Sequence, residues 1–273
     1  MSNMSTCLVQ ISDPHFGTEQ PPVVDALARW IATQAPDVLL LTGDVTQRAT
    51  QAQFDAAAAF MRRVAVPRVL AIPGNHDIPL FDLFTRAWAP YGRWARAFGQ
   101  DLEPTFSAED CLVVCVKTTR RWRHEDGEIS DAQVERVAGQ LRQALPDQLR
   151  IVLTHQPVAV TRPEDEHNRV HGHARAVARW AEAGADLVLG GHIHLPYVLQ
   201  LAPLPHGRRL WAVQAGTAVS SRVRSGAPNS VNLVRTLPAQ DGQRRCDVER
   251  WDFDGARGEF ARVSAQVLAL SPA

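Results

Sequence analysis

The stretch VLAIPGNHD, residues 69–77, decides how this chain is read. Val69 to Ile72 form a short apolar run, which predicts a buried strand (Arg68–Ile72). Pro73 and Gly74 end it and open a turn. A structural turn needs nothing more. Yet Asn75, His76 and Asp77 follow at once, placing an amide, an imidazole and a carboxylate side by side at a strand end. All three can bind a metal or hold a proton in place.

The same pattern recurs along the chain. The run Cys7–Ile11 leads into SDPHFG, which offers Asp13 and His15. Val38–Leu41 leads into TGDVT, with Asp44. Arg150–Thr154 is followed by His155, and Asp186–Leu189 by GGHIHLP, with His192 and His194. Periodic segments between these runs predict helices at Pro22–Gln34, Thr50–Val64, Ser130–Leu145 and Ala174–Ala183, two of them opened by capping boxes (Thr50 with Gln53, Ser130 with Gln133). Further strands are predicted at Leu112–Val116, Tyr197–Leu201, Leu210–Gln214, Val231–Thr236 and Arg245–Phe253. The first two thirds therefore read as α/β and the last third as mostly β. Polar groups gather at the carboxyl ends of strands, where open α/β sheets place their sites.

Ligand chemistry narrows the reading. Asp13, His15, Asp44, Asn75, His155, His192 and His194 supply oxygen and imidazole but no thiolate. Such a set suits divalent Mn, Fe, Zn or Ni. Seven groups are too many for one tetrahedral ion and fit two ions sharing a bridging carboxylate. Asp13-x-His15 and His192-x-His194 converge on one site if the backbone is extended there. The glycines before Asp44, Asn75 and His192 let the chain turn sharply.

Composition sets the outer bounds. With 45% hydrophobic residues the chain buries a full core, and its 273 residues suit one large domain. Basic and acidic residues balance at 29 each, so no global charge points to nucleic acid or an anionic membrane. Cys7, Cys111, Cys115 and Cys246 form no CxxC pair and read as reduced thiols. The amino terminus shows no leader pattern, and no run approaches the roughly 18 apolar residues of a membrane span. The expectation is a cytoplasmic protein.

In order, the motifs Asp-x-His, Gly-Asp, Gly-Asn-His-Asp, His and Gly-His-x-His resemble the calcineurin-like metallophosphoesterase superfamily. Within it the chain looks like the bacterial class III cyclic-nucleotide phosphodiesterases. The tail AGTAVSSRVRSGAPNSVNLV, residues 215–234, is similar to that subgroup's closing region. The resemblance implies a four-layer α-β-β-α sandwich, with two packed mixed sheets flanked by helices and a dinuclear site at strand carboxyl ends. It implies that residues 1–273 form a single domain, with 78–108 as a candidate cap or dimer segment and 197–273 as a mostly β second-sheet region.

Carried over residue by residue, the resemblance gives Asp13, His15 and His194 to one ion and Asn75, His155 and His192 to the other. Asp44 bridges them. His76 meets the phosphate or donates a proton, Asn75 and His76 contact substrate, and Asp77 orients His76. The cofactors implied are two divalent ions, Mn2+ or Fe2+/Fe3+ first and Zn2+, Ni2+ or Co2+ as alternatives. The activity implied is hydrolysis of small phosphodiesters, 3',5'-cyclic nucleotides among them, by in-line attack of a metal-bridging hydroxide. A broad phosphomonoesterase or nucleotide phosphohydrolase is the alternative, and a non-catalytic scaffold a remoter one. The partners expected are a small phosphodiester or nucleotide and a second copy of the chain, with no membrane and no nucleic acid polymer.

Several groups stay outside these roles. His171 and His173 read as a turn before a helix. Arg120, Arg121 and Trp122 read as a surface loop, and Trp88, Tyr91 and Trp94 have helical packing spacing. Arg222 and Arg224 in SSRVRSG are left undecided between surface and substrate.

Overall fold

Thr50 and Ser130 each accept a hydrogen bond from the backbone N–H three residues on, at Gln53 and Gln133. These caps satisfy amide donors that a helix start leaves without partners. The computed structural model describes residues 5–123, 125–202, 204 and 207–272. Its strands are β1 (Cys7–Ile11), β2 (Val38–Leu41), β3 (Arg68–Ala71), β4 (Thr105–Ser107), β5 (Cys111–Cys115), β6 (Leu149–Leu153), β7 (Leu187–Gly190), β8 (Tyr197–Leu201), β9 (Leu210–Gln214), β10 (Ser230–Gln240), β11 (Gln243–Asp254) and β12 (Glu259–Ala269). The helices are α1 (Pro21–Gln34), α2 (Gln51–Val64), α3 (Leu83–Trp88), α4 (Gly92–Phe98), α5 (Asp131–Arg142) and α6 (His173–Glu182).

The strands form two six-stranded sheets, ordered β12-β11-β10-β1-β2-β3 and β4-β5-β6-β7-β9-β8. Within the first, β1, β2 and β3 are parallel; within the second, β5, β6, β7 and β9 are. Three apolar layers result. Leu8, Leu40, Ile151, Leu189 and Val248 pack between the sheets. Leu27, Ile31 and Phe54 of α1 and α2 cover Val9 and Leu39 on the outer face of the first sheet. Val134, Leu141 and Trp180 of α5 and α6 cover Val114, Val152 and Val188 on the second. Central strands buried on both faces give continuous apolar runs rather than alternation, which is why they stand out in the sequence.

The four-layer sandwich is as the resemblance implied. The placement of 197–273 in one second-sheet region is corrected. Strands β8 and β9 do join the second sheet, but β10 pairs antiparallel with β1, so β10, β11 and β12 extend the first. Strands β4 and β12 lie in stretches without a clear periodicity; α3 and α4 carry the helical spacing of Trp88, Tyr91 and Trp94, although Trp88 is exposed rather than packed. Trp94 is fully buried and packs against Phe54, as the helical spacing suggested. No helix among the described residues is long and apolar enough to cross a membrane.

Buried polar ties fix the two sheets to each other. Gln10 on β1 donates its Nε2 hydrogen to the Gly190 carbonyl at the end of β7, 2.9 Å away. Arg244 on β11 forms a two-pronged ion pair with Asp186, just before β7, at 2.7 and 3.0 Å. Asp186 is fully buried, so Asp186→Ala leaves the Arg244 charge without its counter-ion in the interior. That change is expected to cost about 3–5 kcal/mol, read as a lower urea midpoint at unchanged slope; a loss below about 1 kcal/mol would contradict the tie.

Candidate metal centre

Five parallel strands deliver the site. Beyond β1 come Asp13 and His15, and beyond β2 comes Asp44. A 3-10 turn after β3, Asn75–Asp77, carries Asn75. His155 follows β6, and His192 and His194 follow β7. Two sheets thus meet at one end of the sandwich, and their carboxyl ends supply every ligand that the sequence singled out.

Convergence is not achieved by extended backbone, as the spacing of Asp13-x-His15 and His192-x-His194 had suggested. Asp13 (φ 50°), His15 (φ 45°), Asp44 (φ 48°), His192 (φ 74°) and His194 (φ 53°) all adopt left-handed backbone. Non-glycine residues seldom do so, and such strain gathers at functional sites. Left-handed kinks turn the chain back so that both ligand residues of each motif face inward. Gly43 before Asp44 has φ +93°, and a Cβ there would lie 2.8 Å from His155 Cγ. At Gly191 the constraint is space alone: a Cβ would lie 2.5 Å from Asp13 Oδ2.

Among the described residues, three groups of side chains come within metal-binding reach: Asp13, His15 and His194; His15, Asp44 and His76; and Asp44, His155 and His192. Asp44 sits between the halves. Its Oδ1 is 3.4 Å from His155 Nε2 and its Oδ2 is 3.7 Å from His15 Nε2. Asn75 Oδ1 lies 3.0 Å from His155 Nε2. Across the other half, His15 Nε2 and His194 Nε2 are 3.1 Å apart, and Asp13 Oδ1 is 3.5 Å from His194 Nε2.

Backbone carbonyls set the histidine tautomers. His155 Nδ1 donates to the Thr42 carbonyl at 2.7 Å, and His194 Nδ1 donates to the Arg222 carbonyl at 2.7 Å. A carbonyl only accepts, so each Nδ1 carries a hydrogen and each Nε2 is the ring atom turned to the centre. Asp13 Oδ2 accepts from the His192 amide at 2.9 Å and from the Ser12 hydroxyl.

The donor set fits two cations. Asp13 Oδ1, His15 Nδ1 and His192 Nδ1 are buried without a hydrogen-bond partner, which costs stability unless something else satisfies them. Burial raises the Asp13 and Asp44 carboxyls, but neighbouring imidazoles, His194 for Asp13 and His155 for Asp44, outweigh it and hold both below the usual range. Desolvation lowers His155, yet the charge and hydrogen bond of Asp44 push it up to about 9. His194 is raised in the same way by Asp13. His15 and His192 are pushed down to about 3, by desolvation first and, at His192, by the His155 charge next. Two aspartates thus hold protons on two imidazoles where cations would serve instead.

Asp77 has a different task from the one inferred for it. Its carboxylate accepts from the backbone amides of Val45 (3.1 Å), Thr46 (2.8 Å) and Gly74 (2.9 Å) and from the Thr46 hydroxyl (2.9 Å). It therefore locks the Asp44 loop to the Asn75 turn. His76 is oriented instead by the Gln47 carbonyl, 3.0 Å from its Nδ1. The His76 backbone amide donates to Asp44 Oδ1 at 2.8 Å.

A cavity of about 620 Å³ opens over the centre, and Glu125, His167, Asn168 and Arg222 join the ligands in lining it. Glu125 comes from a loop, and His167 and Asn168 from the 3-10 helix Pro163–Asn168; irregular sequence hid all three. His171 pairs with Asp126, and His173 Nδ1 donates to the Val170 carbonyl at 2.9 Å; neither reaches the centre. Arg120 is buried and holds its own loop through the Lys117 and Thr119 carbonyls.

Residues 8–196 match the model of the calcineurin-like phosphoesterases. The chain belongs to that family. It is a metallophosphoesterase whose gathered side chains are placed to hold metal. Among solved structures it is similar to a purple acid phosphatase, PPD1, from yellow lupin (Lupinus luteus) seeds, at 12% identity and a TM-score of 0.70. That match covers 97% of this chain and 54% of the lupin enzyme, so this chain spans about half of its length. A dimetal phosphatase from Danio rerio matches at 14% identity and a TM-score of 0.67, over 97% of this chain and 99% of its own. Vacuolar protein sorting 29 from Cryptosporidium parvum matches at 13% identity and a TM-score of 0.53, over 98% of this chain and 100% of its own. No curated protein matches the chain.

Two outcomes follow for this metallophosphoesterase. Gly191→Ala displaces Asp13, so elemental analysis is expected to find the first ion lost; two ions retained would contradict the packing. Because metal must displace the His155 proton below about pH 9, apparent Mn2+ affinity in calorimetric titration is expected to weaken as the pH falls. Affinity independent of pH between 6 and 9 would contradict it.

Proposed function

We propose that this metallophosphoesterase hydrolyses small phosphodiesters, with 3',5'-cyclic nucleotides as the first candidates. The single observation that carries the reading is the placement of Asp44, one carboxylate oxygen toward His155 and the other toward His15. Such a bridge suits a two-ion hydrolase. The cyclic-nucleotide part rests on the resemblance of the motifs and of residues 215–234 to the class III enzymes.

Bound divalent cations supply Lewis acidity for phosphoryl oxygens and lower the pKa of water at the site. The chain's own residues do the rest. Asp13, His15 and His194 hold one ion, and Asn75, His155 and His192 the other. The His76 amide fixes the Asp44 carboxylate, and the His76 ring faces the cavity where substrate enters. Oxygen and imidazole donors accept Mn2+, Fe2+/Fe3+, Zn2+, Ni2+ or Co2+, and the family resemblance puts Mn2+ or Fe2+/Fe3+ first.

A phosphomonoesterase is the second reading, favoured by one observation. Arg222 places a fixed positive charge in the cavity, which suits a dianionic monoester. A non-catalytic scaffold fits poorly, since all seven ligand side chains are present and gathered. We read residues 1–273 as one domain, since β1 lies between β10 and β2 in the first sheet.

Purified, Mn-loaded protein is expected to hydrolyse bis(p-nitrophenyl) phosphate and to stop when the metal is chelated. Loss of a residue that merely supports a metal ligand costs roughly 10–100-fold, so Asp44→Asn is expected to lower kcat/KM at least about 100-fold. No turnover with Mn, Zn or Ni would rule out the hydrolase. A panel of cyclic nucleotides, nucleotide monoesters and glycerophosphodiesters then ranks diester against monoester.

A further inference from the structure

We propose that Arg222 is a substrate-binding residue, whose guanidinium takes a phosphoryl oxygen from the side of the cavity facing His76. The inference deepens the phosphoesterase reading above and rests on it.

The sequence leaves Arg222 and Arg224 equivalent, and the structure separates them. Arg224 is committed to structure: its Nη1 meets Asp165 Oδ1 at 2.8 Å and donates to the Ile193 carbonyl at 3.2 Å. Asp165 is buried, so this pair braces the turn between His192 and His194 against the loop before α6. Arg222 has no such counter-ion among the described residues. Its Nη1 donates to Gln47 Oε1 at 3.1 Å and to His76 Nε2 at 3.2 Å. Both acceptors are neutral, whereas a phosphate oxygen brings an opposite charge and a phosphoryl group accepts from the guanidinium in a two-pronged fork. An arriving phosphate therefore displaces them.

Arg222 is also tied to the metal centre through its main chain. Its carbonyl accepts from His194 Nδ1, and its amide donates to Ser220 Oγ at 3.0 Å. The side chain is thereby aimed over the ligands while the backbone does the structural work. That division makes the residue testable, because a side-chain change leaves the His194 tether in place. The planar guanidinium offers two parallel donors to a phosphoryl group, which an ammonium does not.

Arg222→Ala and Arg222→Lys in the full chain provide the test. Metal content, by elemental analysis, is expected to match the unchanged protein in both. Inorganic phosphate binding to Mn-loaded protein, by titration calorimetry, is expected to weaken about 10–100-fold in Arg222→Ala and less in Arg222→Lys. With bis(p-nitrophenyl) phosphate, KM is expected to rise more than kcat falls. Unchanged phosphate affinity with full metal content would overturn the assignment, and so would loss of metal in Arg222→Ala, which would mark the side chain as structural. Calorimetry needs no turnover. A parent protein that binds phosphate through Arg222 but hydrolyses no ester would sink the phosphoesterase reading and leave the Arg222 site standing.

Discussion

Two buried carboxylates with imidazoles packed around them are the constraint from which the rest of the site follows. Asp13 and Asp44 lie where two sheets meet, away from bulk water, and a lone buried carboxylate would cost far more than a fold can spare. Each is offset by what surrounds it. Asp13 has the His192 amide, the Ser12 hydroxyl and His194; Asp44 has the His76 amide, His155 and His15. Remove either aspartate and the histidines facing it lose the charge that positions them.

Holding so many polar groups in one place strains the backbone. Among the described residues, five of the nine non-glycine residues with positive φ are proposed ligands. An extended strand would also put alternate side chains on one face; here left-handed residues bring Asp13 with His15, and His192 with His194, to one centre within a tight turn. The apolar layers above and below keep the strand ends still. Asp77 belongs to that support, because its carboxylate fastens the loop after β2 to the turn after β3.

Much of this was legible in the sequence. Central strands buried on both faces show as apolar runs, and each run ends in a polar ligand, so β1, β2, β3, β6 and β7 and their ligands could be named. Capping residues marked α2 and α5. Four things were hidden. Residues 69–77 do not say which sheet a strand joins, since pairing of β10 with β1 is a contact between chain segments more than 200 residues apart. The left-handed kinks at Asp13 and His194 are imposed by tertiary packing, not by local propensity. Asp77 is next to His76 in sequence, yet its carboxylate meets backbone amides, because side chains in a tight turn diverge. The cavity wall from Glu125, His167 and Asn168 lies in a loop and a short 3-10 helix that no periodicity describes.

The central claim is that Asp13, His15, Asp44, Asn75, His155, His192 and His194 form one centre for two ions. Anomalous scattering from crystals grown with Mn2+ tests it most directly. The account predicts two peaks, one against Asp13, His15 and His194 and one against Asn75, His155 and His192, with Asp44 touching both. A single peak, or ions bound away from Asp44, would contradict it.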